Sequence, residues 1–121
     1  MIDDFTPLKG LKILYIDDEF SARELMREML EKRFKEVFIA QNGLEGLKIA
    51  KEVRPDVIVS DFRMPSMGGG DMYLELKKEG FDIPMVFLTA YADEVEFEES
   101  IKIVEKTFRK NDLLGAIMEV C

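Results

Sequence analysis

Five short apolar runs, each followed or preceded by a segment of helical periodicity, constrain this chain more than any other feature. They are Ile13-Leu14-Tyr15-Ile16, Val37-Phe38-Ile39-Ala40, Val57-Ile58-Val59, Met85-Val86-Phe87-Leu88 and, interrupted once by Lys102, the run from Ile101 to Val104. Runs that are apolar throughout, rather than at every second residue, are read as strands buried on both faces, which in turn need helices to cover them. Strands alternating with helices predict an α/β fold, a doubly wound sheet of five parallel strands.

The punctuation agrees with this division. Residues 1–10 form a polar leader with Pro7 and Gly10, and a first strand is expected over 12–17. Ala22, Leu25, Met26, Met29 and Leu30 recur at helical spacing, with Ser21 and Glu24 matching the Ser-x-x-Glu capping pattern at the start. A second strand over 37–40 leads to a helix that Asn42 and Glu45 can start and that Arg54-Pro55 stops. The third strand is expected over 56–60, and a third helix over 72–78 that ends at Gly80. Pro84 opens the fourth strand, and Asn111 or Asp112 caps a last helix carrying Leu113, Leu114, Ile117 and Met118.

Only eleven residues, 90–100, join the fourth strand to the fifth. A parallel crossover generally needs a dozen or so, so this segment has room for a helix of two turns at most. It carries Asp93, Glu94, Glu96, Glu98 and Glu99.

Four of the strands end in residues useful to phosphoryl chemistry: Asp17-Asp18, Asp61, Thr89 and Lys106. Open parallel sheets bind ligands outside the carboxyl ends of their strands, so three acids, a hydroxyl and an ammonium can converge there. Mg²⁺ prefers one or two carboxylates, carbonyl oxygens, waters and phosphate oxygens. A carboxylate can itself accept a phosphoryl group, and the charge on the equatorial oxygens then calls for cations and hydrogen-bond donors. Taken singly, each residue has an ordinary explanation: turn acids for Asp17, Asp18 and Asp61, a β-former for Thr89, a solvated lysine for Lys106. Their joint placement at strand ends is what argues for a site.

The 121 residues suffice for one domain with one core, with 47% of them hydrophobic. A formal charge of −8 argues against direct contact with a nucleic-acid backbone. No apolar stretch reaches the roughly 18 residues of a membrane span. The N-terminus lacks the order of a signal peptide, and Cys121 is the single cysteine, so a cytoplasmic protein is expected.

With these residues in view, the chain from Lys12 onward resembles the receiver domain of two-component response regulators. The resemblance is carried by Ile16-Asp17-Asp18-Glu19, by Asp61-Phe62-Arg63-Met64-Pro65-Ser66-Met67-Gly68-Gly69, by Thr89-Ala90 and by Lys106. It implies a flavodoxin-like fold with strand order 2-1-3-4-5, here with a shortened fourth helix. It further implies that Asp61 is the phosphoacceptor, served by a phosphohistidine on a sensor histidine kinase or phosphotransfer protein. Asp17, Asp18, Asp61 and the backbone carbonyl of Arg63 would hold Mg²⁺, with Asp18 the more direct ligand of the acidic pair. Thr89 would be the switch hydroxyl and Lys106 the phosphoryl-contacting lysine. The expected protein is a stand-alone receiver, one domain over 1–121 without an output domain. It signals to a downstream protein by phosphorylation-dependent contact and catalyses only its own phosphorylation and dephosphorylation.

Three positions depart from the family pattern. Ile103 stands where an aromatic switch residue is common, three positions before Lys106, and Thr107 stands where a proline commonly follows the lysine. The third departure is the short acidic crossover, from which an order change in residues 93–100 is expected as an alternative output. Arg63 and Tyr91, two positions beyond Asp61 and Thr89, border the path of hydrolytic water in the family, so a long-lived phosphoryl state is expected. Two other readings stay open: a degenerate receiver that binds partners without phosphorylation, and a small phosphatase of the haloacid dehalogenase kind. The latter family needs a second Asp where this chain has Arg63.

Overall fold

The computed structural model describes residues 4–90, 101–106 and 109–121. A 3-10 turn, Thr6–Gly10, precedes β1 (Lys12–Ile16), α1 (Phe20–Glu31), β2 (Glu36–Ala40), α2 (Gly43–Val53) and β3 (Val57–Asp61). Then come α3 (Gly69–Lys78), β4 (Met85–Thr89), β5 (Lys102–Glu105) and α4 (Lys110–Val120). The five strands are all parallel in the order β2-β1-β3-β4-β5, as the apolar runs and the resemblance predict. The expected helix of the crossover, the position of Tyr91 and the Lys106-Thr107 link lie outside the described residues.

Each strand sends alternate side chains to opposite faces. On one face Ile13, Tyr15, Val57, Val59, Val86 and Leu88 pack with Leu30 of α1 and Leu113, Leu114 and Ile117 of α4. On the other, Leu14, Ile16, Ile58, Met85 and Phe87 pack with Ala50 of α2 and with Met72 and Leu76 of α3. Every residue of β3 and β4 is buried, which is why those runs are continuously apolar. The order reverses at β1, so the carboxyl ends of β1 and β3 flank the switch point where such sheets form their crevice.

Several boundaries differ from expectation for identifiable reasons. Ser21 does not cap α1: Glu19 is the N-cap, without a side-chain cap, and the Arg23 amide donates to the Glu19 carbonyl at 3.0 Å. Ser21 therefore lies inside the first turn. Asn42 does cap α2, its side-chain oxygen accepting from the Glu45 amide at 2.9 Å. At α4 neither Asn111 nor Asp112 is the N-cap; Arg109 is, and Asp112, three positions on, accepts from its amide at 3.1 Å. The helix α3 starts at Gly69 rather than at residue 72. A Cβ on Gly69 would lie 2.6 Å from the Asp61 carbonyl oxygen, so only glycine lets the helix begin this close to β3. The leader is also less polar in function than in composition, because Leu8 is fully buried.

Candidate functional site

The carboxyl ends of β1, β3, β4 and β5 bring together all the strand-end residues singled out in the sequence. Asp61, the last residue of β3, is fully buried, and the Asp17 and Thr89 side chains are nearly so, whereas Asp18 is exposed. Asp17, Asp18 and Asp61 each offer a carboxylate oxygen within 4.8 Å of the others. The Lys106 ammonium approaches Asp61 Oδ1 at 3.1 Å. Its backbone amide donates a hydrogen bond to the Thr89 carbonyl at 2.9 Å, which continues the β4–β5 ladder one step beyond the strand.

The acids differ in how their oxygens are used. Asp17 Oδ2 accepts the Tyr15 hydroxyl at 2.6 Å and its Oδ1 accepts the Glu19 amide at 3.0 Å. The Asp17 carbonyl accepts from Arg23 Nη1 at 2.9 Å, which ties α1 to the strand end. Asp61, by contrast, receives no backbone amide or hydroxyl on either oxygen among the described residues and meets only the Lys106 ammonium, at Oδ1. A buried, ionised carboxylate in that condition is costly. Burial and the neighbouring Asp17 push the Asp61 carboxyl up to about 7, against the opposing pull of Lys106. For Lys106, burial acts to lower the basicity, but the Asp61 carboxylate with Asp17 and Asp18 outweighs it and the net direction is up.

Three carboxylates against one lysine leave a surplus of negative charge around the buried Asp61. That donor set, all hard oxygen, suits a divalent cation such as Mg²⁺.

Two concavities share Lys106 in their lining. One of about 310 Å³ is lined by Tyr15, Asp17, Glu19, Ala22, Leu25, Met26, Asp61, Leu88 and Lys106. The other, of about 100 Å³, is lined by Arg63, Leu88, Thr89, Ala90 and Lys106. A larger cleft of about 380 Å³ lies at the opposite end of the sheet, beside Leu11, Asp56 and Pro84, and of its lining residues only Asp56 and Cys121 ionise. It lacks the convergent charges of the acidic end.

The model of the response regulator receiver domain matches residues 13–118. The chain belongs to the response regulator receiver family. The sporulation initiation phosphotransferase F of Bacillus subtilis is 34% identical over 89 residues, covering 74% of this chain and 72% of that protein. The chemotaxis protein CheY of Halobacterium salinarum is 29% identical over 114 residues, covering 90% and 95%. Among solved structures, the response regulator TrrA of Thermotoga maritima, in complex with Mg²⁺-BeF, superposes with a TM-score of 0.78 at 29% identity, covering 91% of this chain and 98% of that one.

Within this receiver, the sequence reading passes over Tyr15 and Arg23, which both bond to Asp17. The signal for Tyr15 is its place two residues before Asp17, which puts both side chains on one face of β1. Arg23 carries no comparable signal, because its reach depends on where α1 starts.

Proposed function

We propose that Asp61 accepts a phosphoryl group from a phosphohistidine on a sensor histidine kinase or phosphotransfer protein. One observation carries this reading: Asp61 is a fully buried carboxylate, paired with one lysine and faced by two further acids. In the transfer an Asp61 oxygen forms a bond to phosphorus. The phosphorus–nitrogen bond of the donor breaks, and its electron pair leaves with the imidazole.

Mg²⁺, held by Asp17, Asp18, Asp61 and the Arg63 carbonyl, supplies positive charge to the phosphoryl oxygens when bound. Lys106, whose carboxylate partner is consumed when Asp61 becomes an acyl phosphate, compensates the charge on the phosphoryl oxygens. Thr89, at the wall of the smaller cavity beside Lys106, donates its hydroxyl to a phosphoryl oxygen. Because Thr89 and Lys106 meet through the β4–β5 ladder, the new phosphoryl group is read at the β4–β5 end of the sheet and passed to a downstream protein. The net charge of −8 favours a protein over a nucleic acid in that role. No helix among the described residues is long and apolar enough to cross a membrane, and a cytoplasmic protein that catalyses only its own phosphorylation and dephosphorylation fits this chemistry.

The test is incubation with acetyl phosphate and Mg²⁺, followed by mass measurement of the intact protein. A single phosphoryl adduct that disappears in Asp61→Asn supports the reading. An absence of any adduct leaves a phosphorylation-independent module, and steady turnover of phosphate esters points to a phosphatase.

A further inference from the structure

The acidic site has a neighbour that the phosphoryl chemistry does not use. The Tyr15 ring is 2% exposed and packs within the cluster that holds Leu30, Val59 and Leu88. A phenylalanine would fill that volume equally well. The hydroxyl would be costly to bury there unless it found an acceptor, and the acceptor is Asp17 Oδ2 at 2.6 Å, the short distance of a charge-assisted bond.

Together with the Glu19 amide on Oδ1, the hydroxyl gives each Asp17 oxygen a donor and so fixes the rotation of the carboxylate. Asp61 has no such support. Tyr15 and Asp17 both line the cavity of about 310 Å³ that extends to Asp61 and Lys106, so the bond, though buried, borders the site.

We propose that Tyr15 is a positioning residue whose hydroxyl holds Asp17 in the orientation a divalent cation requires, so that metal affinity depends on a group that never touches the metal. The inference rests on the receiver reading of the acidic site. Partners of metal-binding side chains commonly change affinity by 10–100-fold when they are removed.

Calorimetric titration of the full chain with Mg²⁺, for wild type and Tyr15→Phe, tests the idea. The expected result is binding weaker by about tenfold in the variant. A second measurement asks whether the hydroxyl itself senses the ion. The chain has no Trp and only Tyr15, Tyr73 and Tyr91, so Tyr73→Phe combined with Tyr91→Phe leaves Tyr15 as the sole tyrosine emitter. Its emission should change with Mg²⁺ and saturate at the calorimetric midpoint, because the hydroxyl's acceptor, Asp17, gives up charge to the ion.

Emission that stays flat while Mg²⁺ binds overturns the inference, even where Tyr15→Phe fails to fold. So does a variant affinity within about twofold of wild type. A wild-type chain that binds no Mg²⁺ at all overturns the receiver reading and this inference with it.

Discussion

The acids and the lysine of this site are held by parts of the sheet that differ in kind. Asp17 and Asp61 extend from β1 and β3, central strands that are buried along almost their whole length and pair on both sides. Lys106 extends from β5, an edge strand with exposed ends, and its side chain is 44% exposed. The fixed charges that demand a cation are thus built into the rigid centre, while the single charge that answers them sits on the margin. A group on an edge strand can move on binding or modification at little cost in core packing, whereas the central acids cannot. Such a division suits a site in which the centre receives the phosphoryl group and the edge reports it.

The largest test of this contrast removes the central carboxylate. Asp61→Asn should abolish the phosphoryl adduct from acetyl phosphate outright. It should also change how the metal-free protein responds to pH. In the folded chain Asp61 is pushed from its ordinary 3.8 up to about 7, first by burial and then by Asp17. Between those values the folded state holds a proton that the unfolded state has lost, so stability falls as pH rises through that window. From pH 4 to pH 8 the loss should be on the order of 3 kcal/mol in chelator, read as urea unfolding. Asp61→Asn should lack this component, and saturating Mg²⁺ should restore wild-type stability at pH 8. A wild-type chain equally stable at both pH values relative to the variant would mean that the centre is not under electrostatic stress.

On the edge side, Lys106→Met should leave a folded protein that still accepts phosphoryl, but about a hundredfold more slowly. That is a smaller effect than losing the central acid, as expected of a half-exposed group whose charge is partly screened. Complete loss of the adduct would put Lys106 on the same footing as Asp61 and erase the distinction. A rate within about threefold of wild type would leave the cation as the only source of positive charge that matters.

The centre was also the more legible half. The runs of β1, β3 and β4 are apolar at every position and buried on both faces, so the sheet and the convergence of Asp17, Asp18, Asp61, Thr89 and Lys106 followed from the alternation of elements. What could not be read were features set by local competition for backbone donors. Ser21 matches a capping pattern, yet the cap lies two residues earlier because the Glu19 carbonyl opens the helical ladder and Asp17 already holds the Glu19 amide. The periodicity predicts a third helix only from residue 72, although α3 begins at Gly69, where the absence of a Cβ allows the close approach to the Asp61 carbonyl. Tyr15 reads as one more apolar residue, since only the finished strand shows that its hydroxyl reaches Asp17.

The smallest effect concerns the loop that joins the central strand to α3. Ser66 has φ of 69°, and the Met67 amide donates to the Pro65 carbonyl at 2.8 Å, closing a three-residue turn around it. A side chain in the left-handed region costs about 1 kcal/mol, which glycine avoids. Glycine also widens the unfolded ensemble, which offsets much of that gain. Ser66→Gly should therefore stabilise the protein by only about 0.5 kcal/mol in urea unfolding, without altering the yield of phosphoryl adduct. Because the same loop carries Arg63 towards the site, a fall in adduct yield would show that the strained turn holds the loop in a working position. The rigid centre would then extend beyond the strands to residue 66.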